Sequence, residues 1–143
     1  VVLKRLRPIA AKKNIELIFE SFRPVIAEVD QVKLSIVISN IVENAIKYNV
    51  MDGYVRVSLN ADLKYFYIKV EDSGIGIPSA EQDRIFDRFY RVDKARSRET
   101  GGTGLGLSIT RNVVLMHRGA IKVHSKVGEG TKFVLRMPLN YIA

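Results

Sequence analysis

The chain has 143 residues, of which 47% are hydrophobic and 27% charged, and its 23 Lys and Arg against 15 Asp and Glu give a net charge of +8. These values are typical of one soluble domain and exclude collagen, a coiled coil and a disordered chain, while the apolar runs are far shorter than the roughly 20 residues of a membrane helix. Cysteine is absent, which excludes thiol chemistry and fits a cytoplasmic protein, and the basic excess favours nucleic acid, an anionic membrane surface or a phosphorylated small molecule as partner.

The first half of the chain alternates between helical and strand-like patterns. Asp30 is typical of an N-cap and precedes the strongest helical pattern in the sequence. The residues Met51, Asp52 and Gly53 mark a turn between that helix and the next strand. Apolar periodicity predicts five elements here, namely a helix over 3–13, a strand over 14–20, a helix over about 31–48 and strands over 54–60 and 65–72.

The second half begins with a stretch that differs from the rest. Residues 88–104 carry a net charge of +3 and few apolar side chains, so we predict a mobile lid there. A helix follows over about 105–117, with its apolar side formed by Leu105, Ile109, Val113 and Met116. Strands over 119–125 and 131–137 close the chain as a hairpin. This mixture predicts an α/β sandwich with a mixed sheet, not a doubly wound parallel sheet.

Asp72 is the first candidate for chemistry. Period two places it on the apolar face of the strand 65–72, where a carboxylate is costly unless it is hydrogen-bonded. Taken alone, it is interpreted as a strand-end Asp that caps the following turn. Gly74 and Gly76 favour a second interpretation, because glycines let the backbone approach a flat ligand closely. A base with an exocyclic amine could then donate to Asp72.

A polar stripe on the helix 31–48 is the second candidate. Asn40, Asn44 and Lys47 share one helical face, with Glu43 beside them. A charged helix face is usually a solvated one, but Asn is a poor interior helix residue and occurs twice here. Amide oxygens and an ammonium suit Mg²⁺ with phosphate, since Mg²⁺ takes oxygen ligands and keeps part of its shell as water and phosphate.

The run GGTGLG at 101–106 is the third candidate. It opens a helix, an arrangement that points free backbone N–H groups at phosphate. A flexible linker is the alternative, and the spacing matches neither a P-loop nor a dinucleotide fingerprint. The basic stretch before it could fold over a polyanion, as lids do. His117 and His124 are interpreted as helix-end and surface residues, without metal-ligand spacing.

Five sequence motifs, in this order, resemble those of one family. The chain resembles the catalytic ATP-binding domain of bacterial sensor histidine kinases, within the fold shared with DNA gyrase, heat-shock chaperone and mismatch-repair ATPases. The motifs are NIVENAIKY at 40–48, DSGIGIP at 72–78, IFDRFYRVD at 85–93, GGTGLGLSI at 101–109 and GEGTKF at 128–133. The resemblance implies a two-layer α/β sandwich, with a mixed five-stranded sheet covered on one face by helices. Residues 14–143 would be this domain, with 1–13 a linker helix packed on it from a missing dimerisation domain.

The resemblance also implies a role for each matching residue. Asp72 would accept the adenine amine, and Tyr48 would lie beside the adenine. Asn44, helped by Asn40, would hold Mg²⁺. Lys47 and Arg91 would contact the phosphates of ATP, and with Asn40, Glu43 and Asn44 they form the candidate catalytic set. Phe86 and Phe89 would anchor the lid. The remaining nucleotide contacts and lid hinges would be Gly74, Gly76, Ile77, Gly102, Thr103, Gly104, Leu105, Gly106, Leu107 and Thr131.

The reaction implied is transfer of the γ-phosphoryl group of ATP to a protein histidine, for onward transfer to a response-regulator aspartate. Gyrase-like members place a general-base Glu where this chain has Asn40. An imidazole nitrogen is already a nucleophile and needs less deprotonation than water, so transfer is favoured over hydrolysis. Catalysis would depend mainly on positioning and on charge neutralisation by Mg²⁺, Lys47 and Arg91. The acceptor lies on a separate helical domain in this family, so we predict that this segment binds ATP without phosphorylating itself.

The implied partners are the dimerisation domain of the parent protein and a response regulator. The parent would be a homodimer anchored in the cell membrane, with this domain in the cytoplasm and in contact with neither membrane nor nucleic acid. The chain does not begin with Met, so we expect a piece of a longer protein. The alternatives are a chaperone- or topoisomerase-like ATPase, an anti-sigma-factor-like serine kinase of the same fold, and a nucleic-acid-binding module. Asn40 disfavours the ATPase. The motif IFDRFYRVD at 85–93 and the basic lid disfavour the serine kinase. The absence of an aromatic–basic platform disfavours the nucleic-acid-binding module.

Overall fold

A computed structural model describes residues 6, 8, 10–12, 14–21, 31–82, 84–86 and 106–139. The elements are β1 (Glu16–Ser21), α1 (Gln31–Lys47), β2 (Tyr54–Ala61), β3 (Tyr65–Asp72), a short 3-10 helix (Ser79–Glu81), α2 (Gly106–Met116), β4 (Ala120–Lys126) and β5 (Gly130–Pro138). The five predicted strands and the two longer predicted helices are confirmed, with bounds that differ by no more than two residues. The predicted lid at 88–104 and the predicted N-cap Asp30 lie outside the described residues.

The five strands form one mixed sheet in the order β1-β2-β3-β5-β4. β1 runs parallel to β2, and every other neighbouring pair is antiparallel. β5 is last in sequence but lies between β3 and β4, so the two closing strands do not simply extend the edge of the sheet. This mixed sheet with helices confirms the predicted α/β fold.

One face of the sheet packs against the helices and forms the core. On β3, the alternating residues Phe66, Ile68 and Val70 are buried, as the period-two pattern predicts. On α1, Val37 and Ile41 are buried at helical spacing and belong to the same hydrophobic cluster. Asp72 continues the β3 alternation, and the core therefore ends at a carboxylate.

The prediction for the apolar side of α2 is wrong in two of its four residues. Ile109 and Met116 are 43% and 57% exposed, whereas Val113 is buried as predicted, and Leu105 lies outside the described residues. The buried side instead contains two hydroxyl residues and a neighbouring valine, which are Ser108, Thr110 and Val114. The reason is tertiary, because α2 packs against α1 and the Asn40 amide donates to the Thr110 hydroxyl at 3.4 Å.

The N-terminal segment also contributes to the core. Residues 6, 8, 10 and 11 are helical, and Leu6 and Ala10 are 3% and 2% exposed within the hydrophobic cluster. In the described part of the chain, no helix has both the length and the apolar character that would let it cross a membrane.

Candidate functional site

The site is built around Asp72, at the end of β3. Its side chain is 8% exposed and accepts a hydrogen bond from the backbone N–H of Gly74 at 2.8 Å. Burial raises the pKa of Asp72 to about 6, whereas hydrogen bonds from the backbone N–H groups of Gly74 and Thr131 oppose that rise. A carboxylate offers about four lone-pair positions. Two backbone donors therefore leave room for a donor from a ligand.

The loop after Asp72 is held between the end of α1 and the turn that joins β4 to β5. The N–H of Ile75 donates to the carbonyl oxygen of Tyr48 at 3.1 Å, and the N–H of Gly128 donates to the carbonyl oxygen of Ile75 at 2.9 Å. These bonds fix the loop on both sides with backbone groups alone. Its course therefore depends on how closely three backbone segments approach each other.

Two glycines make that approach possible. Gly76 has φ of +78°, and a Cβ there would collide with the carbonyl oxygen of Lys126. Gly130 has φ of +120°, and a Cβ there would collide with the carbonyl oxygen of Asp72. A left-handed backbone strains any residue with a side chain, so both positions require glycine on two independent grounds.

A buried amide network supports the same loop from the side of α1. Asn49 is 1% exposed, its amide nitrogen donates to the carbonyl oxygen of Tyr54 at 2.9 Å, and its oxygen accepts from the N–H of Val50 at 2.8 Å. The Ser73 hydroxyl donates to the Asn49 oxygen at 3.0 Å and accepts from the N–H of Tyr54 at 2.8 Å. Neither Asn49 nor Ser73 is predicted from the sequence, since neither periodicity nor hydropathy indicates a partner across the fold.

A hydroxyl network supports the loop from the side of β4 and β5. The Ser125 hydroxyl accepts from the N–H of Ile77 at 2.7 Å, lies 2.9 Å from the carbonyl oxygen of Gly130 and lies 2.8 Å from the Thr131 hydroxyl. The Gln82 amide donates to the carbonyl oxygens of Ile77 and Ser125 at 2.9 and 3.0 Å. Ser125 and Gln82 are not predicted from the sequence either. Their contacts with the loop join distant parts of the chain, since Ile77 and Ser125 are 48 residues apart in the sequence.

The predicted polar stripe lies on α1. All four residues of the stripe are half-buried, namely Asn40, Glu43, Asn44 and Lys47. Lys47 is the last residue of α1, where a cation is favoured by the helix dipole, and Tyr48 follows it with its carbonyl oxygen bonded to the loop after Asp72. Asn40 lies about 10 Å further back along the helix axis, on the side that meets α2.

The donor set on α1 suits a divalent cation shared with phosphate. Within the described residues, no three His, Cys, Asp or Glu side chains come together as a metal cluster. The amide oxygens of the stripe would therefore supply only part of the coordination shell of Mg²⁺, with water and phosphate completing it. The residues present would fit a metal ion that binds together with a phosphate-bearing ligand.

The remaining predicted residues divide into two groups. Ile77 and Leu107 are half-buried against the core, Gly106 begins α2, and the ring of Phe86 packs edge-on against Phe133 with 6.3 Å between the ring centroids. Thr131 is 8% exposed and lies opposite Asp72. The residues predicted for the lid side lie outside the described residues, and they are Phe89, Arg91, Gly102, Thr103, Gly104 and Leu105.

Comparison with known proteins agrees with this architecture. Residues 29–141 match the family described as Histidine kinase-, DNA gyrase B-, and HSP90-like ATPase. The sensor histidine kinase WalK of Bacillus subtilis is 46% identical over 118 residues, which cover 81% of this chain and 19% of WalK. The sensor histidine kinase RppB of Synechocystis is 44% identical over 102 residues, which cover 71% of this chain and 22% of RppB. The chain thus spans about a fifth of the length of these curated relatives.

Solved structures agree as well. The catalytic domain of the histidine kinase ThkA has a TM-score of 0.84 and 27% identity, covering 97% of this chain and 88% of that one. Full-length ShkA in complex with AMPPNP has a TM-score of 0.84 and 28% identity, covering 99% of this chain and 29% of that one. The predicted resemblance is confirmed: this chain belongs to the histidine kinase-, DNA gyrase B- and HSP90-like ATPase family, and its ATP-binding domain is of the histidine kinase type.

Proposed function

We propose that this domain binds ATP with Mg²⁺ between α1, the loop after Asp72 and the predicted lid. It would then donate the γ-phosphoryl group to a histidine on a separate helical dimerisation domain. The observation that carries the proposal is the Asp72 carboxylate, which is buried at the end of β3 with two backbone donors and unused acceptor capacity. A buried acid with open lone pairs is costly unless a ligand or water completes its hydrogen bonds.

The adenine end of the nucleotide would be recognised by Asp72. Its free lone pairs suit an exocyclic amine, which can donate but cannot accept. The backbone of Gly74 approaches the carboxylate within 2.8 Å, and the glycine has no side chain to obstruct a flat ring. Tyr48 would lie beside the base, since its backbone is bonded to the same loop.

The phosphate end would lie along the polar stripe of α1. Asn44, helped by Asn40, would hold Mg²⁺ through its amide oxygen, and Lys47 would contact the phosphates from the last turn of the helix. Arg91, from the predicted lid, would contact them as well. When bound, the metal ion would neutralise charge on the phosphate oxygens, which is the main chemical requirement of phosphoryl transfer.

Transfer to a histidine is favoured over hydrolysis by the side chain at position 40. The carboxamide of Asn40 cannot accept a proton from water as a general base, and its nitrogen donates to Thr110. The relatives that match most of this chain are named as sensor histidine kinases, which supports the same choice. We propose that the phosphoryl group then passes from the histidine to a response-regulator aspartate. The resemblance further supports a homodimeric parent that is anchored in the membrane, with this domain in the cytoplasm.

The assignment of the site is tested by calorimetric titration with AMPPNP, with and without Mg²⁺. Asp72→Ala should weaken binding by about a hundredfold, and Asn44→Ala should remove most of the dependence of affinity on Mg²⁺. The matched controls are Asp62→Ala and Asn112→Ala, which remove the same groups from exposed positions outside the site. Unchanged affinity in both site variants would refute the assignment.

The acceptor of the phosphoryl group is identified with labelled ATP. This chain alone should acquire no acid-labile label, whereas addition of the helical acceptor domain of the parent should place label on that domain. Label on His117 or His124 of this chain would contradict the proposal. Steady release of inorganic phosphate without any labelled protein would favour the ATPase alternative.

A further inference from the structure

Three side chains form a row across the sheet at the adenine end of the site. Ser125 on β4 lies directly opposite Thr131 on β5, and Thr131 lies directly opposite Asp72 on β3. Residues that pair directly across strands point their side chains to the same face. Ser125, Thr131 and Asp72 therefore stand side by side, with Thr131 between a hydroxyl and a carboxylate.

The hydrogen bonds of Ser125 determine where its single hydroxyl proton goes. The N–H of Ile77 donates to the Ser125 oxygen, so that contact uses a lone pair and not the proton. The carbonyl oxygen of Gly130, at 2.9 Å, can only accept, so all three contacts of Ser125 are hydrogen bonds only when its proton points to that carbonyl. The 2.8 Å contact between the two hydroxyls is then a bond only if Thr131 donates to Ser125.

This arrangement leaves the Thr131 oxygen as an acceptor beside Asp72. Within the described chain, the hydroxyl of Thr131 is bonded to Ser125, and its bond to Asp72 is made by the backbone N–H. With its proton committed to Ser125, the Thr131 oxygen keeps lone pairs but has no proton to offer a ligand. The end of the pocket thus presents acceptors from two neighbouring side chains.

We propose that Ser125 is a positioning residue that makes the pocket select a 6-aminopurine over a 6-oxopurine, by holding the Thr131 hydroxyl as an acceptor. The inference rests on the proposed adenine site. A 6-amino group donates to both acceptors, whereas a 6-oxo group brings a third acceptor against them and leaves buried polar groups unpaired. Sites of this kind discriminate strongly, because an unpaired buried polar group is costly.

The experiment measures the affinities of ADP and IDP, which share ribose and diphosphate and differ at the purine 6-position, where an amine becomes a carbonyl and the neighbouring N1 gains a proton. Wild type should prefer ADP. In Ser125→Ala, the Thr131 hydroxyl is free to rotate and donate, so the preference for ADP should fall about tenfold. Ser125→Thr, which keeps the hydroxyl, should restore it. A merely structural role would weaken both nucleotides by the same factor and leave the ratio unchanged.

Thr131→Val tests the same inference without changing Ser125. It retains the side-chain volume and leaves the Ser125 bonds to Ile77 and Gly130 in place. It should also lower the preference for ADP, because Asp72 remains as the one acceptor, and adding Ser125→Ala to it should change the ratio no further. An unchanged ADP-to-IDP ratio in folded Ser125→Ala would overturn the inference while leaving the adenine site intact. Failure of wild type to bind either nucleotide would overturn the proposed function itself.

Discussion

The side chain of Asn49 joins the end of α1 to the residue that follows Asp72. Its oxygen accepts a hydrogen bond from the Ser73 hydroxyl at 3.0 Å, while its nitrogen donates to the carbonyl oxygen of Tyr54 on β2. The amide is 1% exposed, so water cannot replace these bonds. Asn49 therefore holds a helix end, a strand start and the loop of the candidate site in one arrangement.

Replacement of Asn49 by Ala should lower the free energy of unfolding by about 3 kcal/mol, because it leaves several buried polar groups without partners. Chemical denaturation monitored by circular dichroism measures the change. Asn112→Ala is the control, since Asn112 is exposed on α2 and should change stability by less than about 0.5 kcal/mol. Equal changes in the free energy of unfolding at the two positions would show that the amide network does not stabilise the fold.

Alanine substitutions at Gly76 and Gly128 distinguish the cost of a steric collision from the cost of backbone strain. Both have positive φ, at +78° and +84°, but a Cβ at Gly76 would meet the Lys126 carbonyl, whereas a Cβ at Gly128 would meet nothing within 4 Å. Gly128→Ala should cost about 1 kcal/mol from the left-handed backbone alone. Gly76→Ala should cost at least about 3 kcal/mol by the same measurement and should weaken nucleotide binding. Similar costs would contradict the close packing of the loop.

The pH dependence of stability should depend on Asp72. Because the pKa of Asp72 rises from 3.8 to about 6 on folding, the folded chain keeps a proton that the unfolded chain has already released. The contribution of protonated Asp72 to the stability of the fold is complete below the pKa of the unfolded chain, and it is lost as the pH rises through the folded pKa of about 6. Relative to Asp72→Asn, wild type should lose about 1 kcal/mol of stability between pH 5 and pH 7.5. Parallel stability curves for the two proteins would contradict the burial of this acid.

Nucleotide affinity should show the opposite dependence on pH. The ionised carboxylate accepts the purine amine with all its lone pairs, whereas the protonated acid has lost part of that capacity. Affinity for ADP should therefore fall about tenfold when the pH is lowered from 7 to 5, since Asp72 is then largely protonated in the free domain. Titration calorimetry at several pH values measures this fall. A flat profile would show that Asp72 does not contact the ligand as an anion.

Asp72 lies on the buried face of β3, as its position in the strand predicts, because strand periodicity is a local property. Each residue of β3 points to the face opposite to that of its neighbour, whatever lies above the sheet. Helical spacing is a poorer guide for α2, where it predicts Ile109 and Met116 on the apolar side. Hydropathy ranks these residues above Thr110, but the contact with Asn40 of α1 decides which side is buried.

The amino-acid sequence by itself determined the elements and the motifs, because helical spacing, strand alternation and glycine turns follow from short-range stereochemistry. Only the tertiary structure decided which residues share the site. β5 enters the sheet between β3 and β4, and that insertion brings Ser125, Thr131 and Asp72 into one row. No local pattern encodes such a row, since its members are neighbours through strand pairing and lie far apart along the chain.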